Sequence, residues 1–353
     1  MGGDVQTKVI VFSQTWDTLS ISQSAHRSLT MLEALLATAI LLGSDPGSTP
    51  TLQTLPTASQ RVQEPEAVEL EDITVVGRPL TNLIRGFTTE VAEPNRFRGL
   101  ARWDGSICVS AVNLRVDTAQ YVVDRVSTIA EDVGLQAGEP GCTPNLVIVA
   151  TDDGGALARQ LVSERRRAFR MGGSGMDRGK VALKDFQDTD RPVRWWQMSM
   201  PIDSQTGNRA YRIPGECSNA CSSVNDYAPV IAIAGASRLR TQIVDNIIRS
   251  IVIVDIDDVT GLTTQQLADY VALVSLAQID PDADTRAYSS ILNVFDDRAS
   301  VDELTSWDRA YLRGLYDAER NRLNGRSNLT EVVGSIQREH ARLRRADDAT
   351  ASD

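Results

Sequence analysis

The chain has 353 residues, 42% of them hydrophobic and 24% charged, which is enough to bury one large core or two modest ones without a special staple. Its formal net charge is −11, and its only lysines are Lys8, Lys180 and Lys184, so nearly all the positive charge is arginine. That balance argues against a surface built to neutralise nucleic-acid phosphates or anionic lipid headgroups, and no nucleic-acid partner is expected.

The first feature along the chain is the apolar run 29–42, followed at once by Gly43, Ser44, Asp45 and Pro46. It is shorter than the roughly 20 residues of a membrane span and suits the apolar region of a signal peptide, with His26 and Arg27 as a thin basic flank. Glu33 inside the run and the long stretch before it are atypical, and both fit a true start nearer Met31. Residues 1–43 are therefore expected to be a signal-like extension, the mature protein to be periplasmic or secreted, and no membrane span to remain in it.

From Ser44 to about Leu70 the composition turns to Pro, Thr, Ser, Gln and Glu without an apolar period, and residues 44–97 are read as a flexible linker. Inside it, residues 73–76 (Ile-Thr-Val-Val) form a short β-prone segment between Glu71-Asp72 and Gly77-Arg78. This segment resembles the one that opens the plug region of TonB-dependent outer-membrane receptors. The resemblance implies a strand able to add to the sheet edge of an envelope protein, beside the plainer reading as an edge strand of the chain's own fold.

From residue 98 to about 320, strand and helix patterns alternate. A strand is expected over 106–113. A helix capped by Asp117 follows, with Val122, Val126, Ile129, Ala130 and Val133 on one face and Gly134 as its stop. The continuous apolar run 145–151 reads as a strand buried on both faces, 155–169 as a helix, and 194–201, 228–236 and 250–256 as further strands. Helices are expected over 264–277, 306–316 and 329–345. The first of these carries a capping box, Thr263 with Gln266, and staple residues Leu262 and Leu267, and it is apolar on most sides, so it should be a central buried helix. Asn328 and Glu331 are read as the cap of the last helix, whose stripe is Leu329, Val332, Val333, Ile336 and Leu343, within a C-terminal helix and tail over 321–353.

Cys108, Cys142, Cys217 and Cys221 allow three pairings, and an even count fits an oxidising compartment. The expected pairs are Cys108–Cys142, worth about 3 kcal/mol, and Cys217–Cys221. A four-thiolate metal site would want two closely spaced pairs of cysteines, and only one is present.

The order of elements, a twisted mixed sheet with two helices, a buried central helix and a helical tail, resembles the zincin metallopeptidases, the metzincins in particular. Later stretches carry the resemblance further: residues 288–295 (Tyr-Ser-Ser-Ile-Leu-Asn-Val-Phe) and 304–316, where Leu304, Thr305, Asp308, Leu312, Leu315 and Tyr316 match the ending of exported bacterial proteins related to that fold. The resemblance implies an α/β (α+β) zincin-like fold over 98–320. It places Ala268, Ala272 and Gln278 where the three zinc histidines belong and Asp269 where the catalytic glutamate belongs. Alanine has no lone pair to give a metal, and the chain has only two histidines, His26 and His340, so no histidine pair exists on any helix. The expectation is a pseudopeptidase: an exported binding or structural protein without catalytic residues, metal or cofactor, acting on an envelope protein or peptide. Its candidate ligand surface is the cleft beside residues 264–277.

Other constellations have plainer readings beside them. Residues 250–260 resemble the first motif of haloacid-dehalogenase phosphotransferases, which implies an Mg²⁺-dependent hydrolase or phosphotransferase using Asp255 and Asp257; the alternative is a set of polar residues closing a buried strand. Asp280, Asp282 and Asp284 match the first three positions of a calcium loop, but Thr285 and Ile291 then break it, leaving an acidic turn. Residues 171–180 form a glycine loop that fits neither a phosphate loop nor a nucleophile elbow. Trp195 and Trp196 are expected on opposite sheet faces, with core or edge packing favoured over exposure of one of them to a partner. His340, among Arg338, Arg342, Arg344 and Arg345, reads as a solvated or half-packed side chain.

Overall fold

The computed structural model describes residues 79–95, 98–169, 178–217, 227–232, 240–322 and 325–350, all within the compact unit Gly77–Asp353. The run 29–42, the segment 73–76, residues 171–177 of the glycine loop, Cys221 and the Cys217 side chain lie outside what is described.

The fold is mixed α/β. Helix α1, Leu80–Val91, begins inside the stretch read as linker, and it buries Ile84, Phe87, Thr88 and Val91. Short strand β1 (Ser106–Ile107) and β2 (Val109–Val112) follow, then helix α2 (Val116–Asp132). Arg115 takes the N-cap position of α2, and Asp117 instead stands in its first turn, where a carboxylate meets the positive end of the helix. Val122, Val126, Ile129 and Ala130 are buried as their spacing predicts, and Gly134, at φ +87°, makes the left-handed stop. Strand β3 (Gln136–Ala137) pairs with β1. Next come β4 (Leu146–Thr151), helices α3 (Gly154–Glu164), α4 (Arg166–Phe169) and α5 (Gly179–Asp188), then strand β5 (Val193–Asp203). Strands β6 (Tyr211–Cys217) and β7 (Tyr227–Val230) form a small antiparallel ribbon; β7 ends well short of residue 236. Strand β8 (Ile243–Asp255) starts seven residues before the expected 250, because its first half pairs with the second half of β5.

The main sheet has the order β2-β4-β8-β5, with the first three strands parallel and β5 antiparallel at the edge. Its alternation sorts side chains between two helical layers. Leu146, Ile148, Val252, Val254, Val193 and Trp195 join the large core made with α2 and the central helix α6, Thr264–Leu276. On the opposite face Trp196 packs against Phe186 of α5, and its indole N–H donates to the Phe169 carbonyl at 3.1 Å. The two tryptophans do take opposite faces, but neither is exposed: helices cover both sides of the edge strand, leaving them 6% and 1% accessible.

Beyond α6 the chain runs through a 3-10 turn, Ile291–Phe295, to α7 (Ser306–Asp317) and α8 (Gly325–Thr350). Since α8 begins at Gly325, Asn328 is inside the helix rather than its cap, and its amide donates to the Arg322 carbonyl while Glu331 pairs with Arg322. Helices α7 and α8 touch closely. A Cβ on Gly314 would lie 2.5 Å from the Ile336 Cα, a distance no side chain can occupy. Arg102, before β1, reaches the C-terminal carbonyls of α7 at Leu315 and Ala318, where a cation suits the negative helix end. Burial brings its guanidinium down to about 10, still charged at neutral pH. His340 of α8 is 8% exposed, not solvated, because its ring lies 4.6 Å from the Trp307 ring of α7. The Cys108–Cys142 disulfide is present, with a Cα separation of 6.1 Å, and ties β1–β2 to the entry of β4. Among the described residues no helix is long and apolar enough to cross a membrane.

Candidate functional site

The central helix α6 forms where its local signals place it. Thr263 accepts from the Gln266 N–H, and the Gln266 side chain accepts from Thr263 N–H, completing the capping box. Every residue from Gln266 to Leu276 is buried, so the helix is a core element and does not itself wall a cleft along its length. Ala268 and Ala272 are fully enclosed. Asp269 has no exposed surface; its carboxylate accepts from Arg125 Nε at 2.5 Å and Nη2 at 2.9 Å on α2, and from the Leu304 N–H at 2.6 Å. Gln278, two residues beyond the helix, uses Oε1 to accept from Ala101 N–H at 2.7 Å and its backbone carbonyl to accept from Glu93 N–H at 3.1 Å. These four positions are thus not gathered around an opening. Asp269 ties α6 to α2 and to the start of α7, and Gln278 ties the end of α6 to the segment that leads from α1 to β1.

One residue of α6 does reach an open space. Tyr270 lines a cavity of about 200 Å³ between the start of β5, the segment after α6 and the 3-10 turn. Its walls include Trp195, Tyr270 and Phe295, and its rim includes Arg191, Asp280 and Asp296. The rings of Trp195 and Tyr270 are 6.3 Å apart at 71°, and those of Tyr270 and Phe295 are 4.9 Å apart at 77°, so Tyr270 stands edge-to-face with both. Burial raises the Tyr270 hydroxyl far above its ordinary value, which keeps it protonated. A recess of about 20 Å³ on the other side of Arg191 is lined by Arg178, Phe186 and Arg194.

The charges around the cavity are mostly paired. Arg191 bonds Asp282, Arg286 bonds Asp284, and Arg178 bonds Glu93. Burial pushes the Glu93 carboxyl up to about 7 against the lowering pull of Arg178, with Asp280 and Asp282 adding to the rise. The calcium-loop positions are likewise occupied by the chain's own donors. Asp280 Oδ1 accepts from Asp282 N–H, and the Arg286 bonds hold the Asp284 carboxyl well below the usual range.

Asp255 ends β8 beside the N-terminus of α3. Its Oδ2 accepts from Gly154 N–H at 2.9 Å and its Oδ1 from Asp257 N–H at 3.3 Å, so both oxygens hold backbone in place. Desolvation first, then the neighbouring Asp255, Asp190 and Asp257, raise the Asp258 carboxyl. Among the described residues no group of three or more His, Cys, Asp or Glu side chains is placed to hold a metal ion.

Trp195 was legible as one of two tryptophans on opposite faces of a strand. The signals for the rest were present but weak: Asp190-Arg191-Pro192 is a turn before a strand, and Phe295 precedes Asp296 and Asp297. Comparison with protein-family models, with curated proteins and with solved structures gives no match.

Proposed function

We propose that this protein is an exported, zincin-like binding module that carries out no peptidase chemistry and uses the cavity beside Tyr270 as its ligand site. The observation that carries the reading is the state of α6. Two of the positions a zincin gives to zinc ligands hold enclosed alanines, the third holds a glutamine engaged with backbone, and the glutamate position holds an aspartate locked to Arg125. No lone pairs converge there on a site that could activate water. The zincin likeness rests on element order: a sheet with helices α2 and α3, a buried central helix, then a helical tail. The disulfide favours an oxidising compartment, and the apolar run 29–42 supplies an export signal. The partner is an envelope protein or a peptide.

The test uses the full chain expressed in a bacterial host and recovered from the periplasm. N-terminal sequencing should place cleavage shortly after residue 42, elemental analysis should find no stoichiometric zinc, and casein should survive incubation. Tightly held zinc together with casein cleavage that a chelator abolishes would falsify the pseudopeptidase reading. Recovery only from the cytoplasm with the N-terminus intact would remove the export part.

A further inference from the structure

We propose that the cavity beside Tyr270 binds an organic cation of guanidinium or alkylammonium size, a choice of ligand class that rests on the binding-module reading above. Size sets the first limit. At about 200 Å³ the cavity is below the roughly 300–1,000 Å³ of sites for drug-sized ligands, so it accommodates a single side-chain-sized group.

Its walls set the second. Trp195, Tyr270 and Phe295 meet at steep angles, with Tyr270 common to both contacts, so the rings form the corner of a box rather than a stack. Electron-rich ring faces arranged this way attract a cation more than they attract a neutral group. No hydrogen bond engages the Tyr270 hydroxyl among the described residues, although the residue is only 8% exposed. As an acceptor, that oxygen suits a ligand carrying N–H donors.

Charge decides the sign. Arg191 of the cavity is matched by Asp282 and Arg178 of the neighbouring recess by Glu93, while Arg194 of the recess donates to the Phe186 carbonyl at 3.1 Å. Asp280 and Asp296 are left on the rim without an ion pair among the described residues. Two unmatched carboxylates over an aromatic corner disfavour an anion and favour a cation. Asp280 already accepts one backbone N–H through Oδ1, so the exposed Asp296 is the freer of the two.

The experiment is calorimetric titration of the full chain with four probes: methylguanidinium, N-acetyl-arginine amide, N-acetyl-leucine amide and N-acetyl-glutamate amide. The two cations should bind and the other two should not, and Asp296→Asn, an exposed change that leaves the fold intact by circular dichroism, should weaken the cations by about threefold or more. Equal affinity of methylguanidinium and the capped arginine would identify a free cation as the source; much tighter binding of the capped arginine would identify a peptide side chain. Binding of the leucine or glutamate probe in preference to the cations overturns the ligand class and leaves a binding module standing. Cation binding that is unaltered in Asp296→Asn overturns the placement, and silence from all four probes overturns this proposal together with the ligand-site assignment beneath it.

Discussion

The Asp269 carboxylate takes three N–H bonds while wholly out of water, two from Arg125 and one from Leu304. Its character as an acidic residue on a buried helix could be read from the sequence. Its job could not, because Arg125 lies 144 positions away and only the packing of α2 on α6 brings the two together. Removing one member of a buried pair leaves the other charge uncompensated and costs about 3–5 kcal/mol. Arg125 keeps some contact with solvent, which places the expectation at the low end. Asp269→Ala should therefore lose about 3 kcal/mol in urea denaturation. A variant as stable as the parent would show that the aspartate is not a strut of the core. Similar reasoning explains why the cavity was hidden: Arg191 meets Asp282 across 91 positions, and nothing near either residue announces the other.

Elements with strong local signals form where the chain indicates. Helix α6 has a capping box and apolar residues all round, and β4 is an unbroken apolar run. Helix α1 lacks a side-chain cap, and its apolar stripe, Leu80, Ile84, Phe87 and Val91, was passed over in the linker reading. It carries Gly86 and three threonines, so its helicity comes from tertiary burial of Ile84, Phe87 and Val91. The first half of β8 is specified by its partner β5 rather than by its own pattern. Helix α8 was legible as a stripe but not at its ends, and the misplaced cap hid the burial of His340. Burial, and then Arg344, lowers the imidazole below its ordinary 6.5, so the folded state prefers it neutral. The unfolded chain then binds the proton more readily, and stability falls as pH drops below 6.5 through the folded value. Glu93 has the opposite sign, since its carboxyl is raised and its protonated form is favoured on folding, so stability from it is lost as pH rises toward about 7. The test is a comparison of unfolding free energies across mildly acidic pH for wild type and His340→Gln. The wild type should lose more stability on acidification than the variant, and parallel curves would refute the assignment.

For the molecule as a whole, the sequence indicated the class of fold, a mixed α/β sheet with helices packed on it, because alternation and run length survive averaging over many residues. The linker reading of 44–97 missed that the chain preceding the sheet belongs to the fold. The Cys108–Cys142 link staples the parallel side of the sheet across 34 positions, and Gly138 makes room for it: a Cβ there would come within 2.6 Å of the Cys142 sulfur. The Cys108→Ser, Cys142→Ser double variant should be less stable by about 3 kcal/mol in the same denaturation, and reductant should lower the parent to meet it. Insensitivity of the parent to reductant would show that the link contributes nothing.

Helix α1 rests on α8, and the ring of Phe87 is enclosed by Tyr288, Trp307 and Tyr311. The first turn of the domain therefore finds its seat only after the last has been synthesised. A nascent chain stalled before residue 325 would lack the helix on which α1 rests, so the core is completed only once α8 has been made.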